Sequence, residues 1–167
     1  MPELINRVRT QAPLFLIAGG VLLLDQASKL WIRMNLAPGQ SLPADSPVRL
    51  THVTNSGAAF GLLPAQTTFF ILVAAFVIVL ILLYDRILQQ SSPLLKIALG
   101  LQLGGAVGNL VDRLRYGYVV DFFDIRVWPV FNVADSAIVV GVAILFYLLV
   151  FAEKTSSRQH ENSQAES

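Results

Sequence analysis

Long apolar runs alternate with short polar connectors along the chain, the pattern of repeated bilayer crossings. A hydrocarbon core of roughly 30 Å takes about 20 mostly apolar helical residues to cross, and residues 13–32, 67–88, 93–111 and 132–152 each meet that length. The pattern predicts an all-α membrane protein, a bundle of four transmembrane helices forming one membrane domain over 1–152. The connectors are unequal: 84–92 is short, whereas 33–66 and 112–131 are substantial and share the opposite side. Pro38, Gly39, Pro43 and Pro47 stop any helix after Arg33, and 48–53 then reads as extended. Residues 116–123 are rich in aromatic and β-branched side chains and also read as extended. These segments predict a small extracytoplasmic β-rich cap. Residues 153–167 carry Ser, Gln, Glu and Asn and predict a polar, disordered cytoplasmic tail.

Composition fits the bilayer setting. Apolar residues make up 54% of the 167-residue chain and charged residues 14%, with a mean hydropathy of +0.62, whereas soluble domains carry about 25% charged residues. A net charge of +1 offers no basic field for nucleic acid. There is no cysteine, so disulfides, thiolate chemistry and cysteine-ligated metal are excluded. The two histidines, His52 and His160, form no HxxH or HExxH pattern, which argues against a zinc enzyme.

Arg7 and Arg9 before the first apolar run resemble the start of a secretory leader, but no A-x-A-like cleavage site follows, and the segment is expected to remain as the first span. An even number of spans places both termini on one side. Arg7, Arg9, Arg86, Lys96, Lys154 and Arg158 fall on that side and Lys29, Arg33, Arg49, Arg113, Arg115 and Arg126 on the other, so the cation count does not decide the orientation. Arg7 and Arg9 next to the first span favour cytoplasmic termini.

Two aspartates stand where a membrane chain usually avoids charge: Asp121 in VVDFFD (119–124) and Asp135, about one turn into the fourth span. A carboxylate at membrane depth costs a few kcal/mol and normally faces a bundle interior or a wet cavity. Two such groups near one surface suit acid/base chemistry, since carboxylates sharing a proton supply a general base and a general acid. A proton-coupled transporter would also use intramembrane aspartates. Against it, the acidic residues cluster at one face, no inverted repeat is visible, and two large loops lie on the same side.

Other polar positions are patterned around this pair. Gly100, Gly104 and Gly108 form a GxxxGxxxG stripe, whose simplest use is close helix packing. The stripe runs into GNLVDR (108–113), which puts Asn109 and Asp112 on one helical face beside Arg113. In DQASK (25–29), Asp25 and Lys29 are spaced for an intrahelical ion pair. TNSGAAF (54–60) joins Asn55 to Gly57, Ala58 and Ala59, small enough for a turn or for close approach of another backbone.

In order, DQASK, TNSGAAF, GNLVDR, VVDF and FNVADS (131–136) on a four-span chain of this length closely resemble lipoprotein signal peptidase, the bacterial type II signal peptidase. The resemblance implies an intramembrane aspartic endopeptidase of the bacterial inner membrane that needs no cofactor or metal. It would cleave diacylglyceryl-modified prolipoproteins just before the lipidated cysteine. Carried over by motif, Asp121 and Asp135 would be the catalytic pair. Asn55, Gly57, Asn109, Arg113 and Asn132 would line the site, with Asp25, Lys29 and Asp112 in support. Arg113 could neutralise Asp112, Asp121 or Asp124. The expected partners are the lipidated precursors and membrane lipid, with no nucleic acid, and the chain is expected to act as a monomer with its site near the periplasmic face.

Overall fold

The computed structural model describes residues 2–57, 66–87 and 92–165, with side chains described for 11–57, 66–84 and 92–151. Among these residues, four helices are long and apolar enough to cross a membrane: α1 (Pro2–Asn35), α2 (Thr67–Ile87), α3 (Pro93–Tyr116) and α4 (Val133–Ala165). A three-stranded antiparallel sheet, ordered β1 (Ser41–Leu42), β2 (Arg49–Asn55) and β3 (Val119–Asp124), caps one end. Leu16, Leu23, Phe76 and Phe146 point outward from the helices, as lipid-facing side chains do.

The helix α3 is central, packed against each of the other three. Its glycines explain how. A Cβ at Gly100 would lie 2.8 Å from the Leu14 carbonyl oxygen, and one at Gly104 would lie 2.6 Å from that of Ala18. Farther along, the same stripe meets Asp25, whose Oδ2 would be 2.6 Å from a Cβ at Gly108. The stripe is thus the seam between α1 and α3, which run parallel. A second seam joins α3 to the antiparallel α4, where Gly105 faces the Ala134 carbonyl and Gly141 faces that of Ala98. Lipid gives helices no hydrophobic reason to associate, so close backbone contact through small residues supplies the attraction.

Several element ends differ from the sequence expectation. The third helix runs to Tyr116 rather than 111, because no breaker interrupts it before Gly117. That glycine takes the left-handed conformation at φ 78° and donates its N–H to the Arg113 carbonyl, a helix stop that a side chain would strain. The strand accordingly begins at Val119, not at 116. The first helix extends beyond 13–32 on both sides, passing through Pro13. The last continues to Ala165 through the segment expected to be a disordered tail; no Gly or Pro follows Gly141 to stop it.

The cap is tied to the bundle by apolar packing and by polar bonds. Ile32 and Leu36 at the end of α1 bury against Val120 and Phe122 of β3. Arg49 on β2 holds Asp124 on β3 at 2.6 Å, and Thr67 Oγ1 donates to the Gly117 carbonyl at 2.7 Å, joining the start of α2 to the end of α3.

The seam makes a direct prediction. Gly104→Ala should lower the stability of the detergent-solubilised chain by about 1–3 kcal/mol, the usual cost of overpacking. Gly20→Ala, where no atom lies within 4 Å of the new methyl, should be neutral or slightly stabilising. Thermal unfolding of both variants in the same detergent checks the contrast.

Candidate active site

The start of α4 builds the site's first half. Asn132 sits just before the helix and accepts the N–H of Asp135 on its Oδ1 at 2.9 Å, while Asp135 Oδ2 accepts the N–H of Asn132 at 3.2 Å. This reciprocal capping box satisfies two helix-end donors and fixes the Asp135 rotamer. The remaining oxygen, Oδ1, accepts from Asn109 Nδ2 at 2.8 Å. Asp135 is therefore clamped between α4 and α3.

The second half comes from the sheet. Asp121 lies on β3 and Asn55 on β2, diagonal neighbours in a register that pairs Val53 with Asp121 and Asn55 with Val119. Asn55 Nδ2 donates to Asp121 Oδ2 at 3.0 Å and Asn132 Nδ2 to Asp121 Oδ1 at 2.7 Å. Asn132 thus bridges the two aspartates: its side chain caps Asp135 through oxygen and holds Asp121 through nitrogen. Both carboxylates line one cavity of about 680 Å³, together with Asn55, Gly57, Arg113 and Ser136 at its polar end. Its apolar wall comes from Phe70, Trp128, Ile138, Val139 and their neighbours.

Electrostatics separates Asp121 from an ordinary surface carboxylate. Asp121 is 3% exposed, and burial, with the negative charge of Asp135 adding to it, pushes its carboxyl up to about 7. The bonds from Asn55 and Asn132 and the charge of Lys29 act in the other direction without cancelling this. A pair so placed retains a proton at a pH where isolated carboxylates have lost theirs, the condition for one group to act as acid while the other acts as base.

Beneath the aspartates lies a fully buried ion cluster. Lys29 Nζ bonds Asp25 Oδ2 at 2.9 Å, Asp112 Oδ2 at 3.0 Å and Asn109 Oδ1 at 2.9 Å, so each of its three N–H groups has an acceptor. The two acids reach onward: Asp25 Oδ1 accepts the Ala134 N–H at 3.0 Å and Asp112 Oδ2 the Val120 N–H at 3.4 Å. Gln26, which the sequence did not single out, bridges Asp25, Asp112 and the Gly108 carbonyl. Its place one residue after Asp25 was the only available signal.

Arg113 forms a salt bridge with none of its three sequence candidates. Asp112 is held by Lys29 and Asp124 by Arg49. The guanidinium instead sits 5.0 Å from the Phe70 ring centroid and reaches the Gly57 and Asn109 carbonyls at 3.5 Å, within electrostatic reach of Asp135, Asp121 and Asp112. Gly57 also turns the chain, donating its N–H to Asn55 Oδ1 at 3.0 Å. Ala58 and Ala59, read with it as small enough for a turn or a close backbone approach, lie outside the described residues. Among those residues, no three His, Asp or Glu side chains converge as metal ligands.

The family model for signal peptidase (SPase) II matches residues 17–151, most of the chain. The chain belongs to the signal peptidase II family. It is 51% identical over 148 residues to the lipoprotein signal peptidase of Moorella thermoacetica, covering 88% of this chain and 99% of that protein. It is 46% identical over 138 residues to that of Caulobacter vibrioides, covering 78% of this chain and 82% of the other. A solved bacterial membrane enzyme, determined by the in meso method at 2.3 Å resolution, superposes with a TM-score of 0.74 at 30% identity, covering 86% of this chain and 90% of that one. As a member of signal peptidase II, the chain is a multi-pass membrane protease of an aspartic family that cleaves lipoprotein signal peptides.

Two outcomes test this site. Lys29→Met leaves two buried carboxylates without their cation and should destabilise the fold by about 3–5 kcal/mol, read by thermal unfolding in detergent. The raised Asp121 carboxyl makes stability depend on pH. Between about 4, where an unfolded aspartate ionises, and about 7, where the folded one does, the folded state holds a proton that the unfolded chain has released. Stability should therefore fall as pH rises through that window and level off above it. Asp121→Asn should flatten this dependence.

Proposed function

We propose that Asp121 and Asp135 form the catalytic dyad, and that it hydrolyses the peptide bond just before the diacylglyceryl-modified cysteine of a prolipoprotein. The observation that carries this reading is the meeting of both carboxylates in one cavity, bridged by Asn132, with Asp121 pushed up to about 7. A water held between the carboxyl groups gives its proton to the ionised member as its oxygen attacks the scissile carbonyl. The protonated member then donates to the departing amide nitrogen. The pair titrates as a unit, and the roles belong to the pair rather than to fixed residues.

The neighbouring polar groups fit supporting parts. Asn55, Asn109 and Asn132 hold the carboxylates in position, and Gly57 leaves backbone room for an extended peptide. Arg113, whose Nε has no partner among the described residues, supplies a donor for a substrate carbonyl and positive charge for the developing oxyanion. Asp25, Lys29 and Asp112 act through the elements they hold. Both termini would face the cytoplasm, with the dyad near the periplasmic surface of the inner membrane, where the lipid anchor presents the cysteine.

Asp121→Asn and Asp135→Asn should each reduce cleavage of a diacylglyceryl-modified prolipoprotein by at least ~10²–10⁴-fold, the usual contribution of a positioned proton-transfer group. The folded state should be retained. A gel-shift assay with purified protein in detergent measures this, and substantial turnover by either variant removes that residue from the dyad. An unlipidated twin of the substrate should be cleaved far more slowly in the same assay, since each buried CH₂ of the anchor contributes roughly 0.8 kcal/mol.

A further inference from the structure

A second cavity, of about 660 Å³, lies between α2, α3 and α4, away from the aspartates, and is lined by Val77, Ile81, Leu95, Leu99, Gln102 and Leu149 among others. It continues the face on which the first cavity opens. On α3, Leu95, Leu99 and Gln102 are spaced by four and three residues, and Arg113 of the first cavity follows eleven residues later, three helical turns to within about 20°. On α2, Phe70 of the first cavity is followed by Val77, Ile81 and Tyr84, and on α4, Ile138 is followed by Leu145 and Leu149, again at seven-, four- and three-residue steps. Each helix therefore presents one stripe, and the three stripes outline a single groove along α3.

Length and polarity select what fills it. From Leu95 to Arg113 the groove extends about 27 Å at 1.5 Å per residue, close to the full hydrocarbon thickness of about 30 Å. An acyl chain anchored beside the aspartates reaches only about half that depth, whereas an apolar helix crosses all of it. Partway along, the buried Nε2 of Gln102 has no hydrogen-bond partner among the described residues, an arrangement that is costly in lipid. A peptide brings carbonyl and hydroxyl acceptors to that depth; a hydrocarbon tail brings none. Gly141 keeps the place open, since a Cβ there would lie 2.8 Å from Gln102 Cγ.

We infer that the groove between α2 and α4 is the docking track for the apolar helical segment of the signal peptide, lying against α3 with its carboxyl end at the aspartates. The inference rests on the proteolytic reading above and adds the surface that holds the rest of the substrate. The track sets the depth at which the scissile bond meets the dyad, so the distance from apolar segment to cleavage point becomes a specificity determinant.

The absence of cysteine makes the test clean. Leu80→Cys and Leu149→Cys place thiols at the far cavity, and Leu23→Cys, on the exposed outer face of α1, serves as the reference. Each is combined with Asp121→Asn to retain substrate and mixed in detergent with a diacylglyceryl-modified prolipoprotein carrying one added cysteine in its apolar segment. The lipidated cysteine is a thioether and does not compete. Oxidative cross-linking should give adducts at 80 and 149 at least tenfold above those at 23. They should peak when the substrate cysteine lies about 11–18 residues before the cleavage point, the helical length between the two cavities. Equal adducts at all three positions, or none at 80 and 149, would overturn the track. Cleavage of the same substrate by the parent chain is measured alongside, so that the track and the proteolytic reading can fail separately.

Discussion

The ammonium of Lys29 is the constraint on which the rest of the arrangement depends. A lysine with no exposed surface in a membrane bundle is tolerable only if every N–H finds an acceptor and the charge is matched. Asp25, Asp112 and Asn109 meet that demand from two helices. Each acceptor is then committed to a further element. Asp25 takes the N–H of Ala134, next to Asp135; Asp112 takes the N–H of Val120, next to Asp121; Asn109 holds Asp135 itself. One buried cation thus registers a helix start and a sheet strand against each other, and that registration brings two carboxylates into one cavity. The surplus negative charge is offset by Arg33, 3.9 Å from Asp112, and by the positive end of the α4 dipole at Asp25.

The glycine seams serve the same end. Without Gly108, Asp25 could not approach α3 closely enough to share Lys29 with Asp112, and without Gly105 the start of α4 could not press against α3. Close packing and ion pairing are therefore one requirement here, since an unmatched charge at this depth would cost more than the packing returns.

Much of this was legible in the sequence because it follows local rules. Span lengths follow from hydropathy, the helix seam from four-residue glycine spacing, and the Asp25–Lys29 pair from i,i+4 geometry. What sequence could not supply was long-range partnership. Arg113 had three plausible acids, and the fold gave two of them, Asp112 and Asp124, to Lys29 and Arg49. Gln26 was not singled out in the sequence, yet it bridges both acids of the cluster. The two-residue strand β1 carries no periodicity to read. The end of α3 was set by Gly117 rather than by the last apolar residue, because a helix continues through polar residues until something stops it. The meeting of Asn55 with Asp121 depended on strand register, which only the folded sheet fixes.

The most direct test of this account follows the proton on Asp121, whose carboxyl is pushed up to about 7 by burial and by the charge of Asp135. Infrared pH-difference spectra of the detergent-solubilised chain, with ¹³C-labelled aspartate to identify the bands, should show one carboxyl losing its proton near pH 7. That signal should disappear in Asp121→Asn and persist in Asp124→Asn. If no aspartate deprotonates near neutrality, or if the signal survives unchanged in Asp121→Asn, the buried cluster does not create a proton-sharing pair and the account fails at its centre.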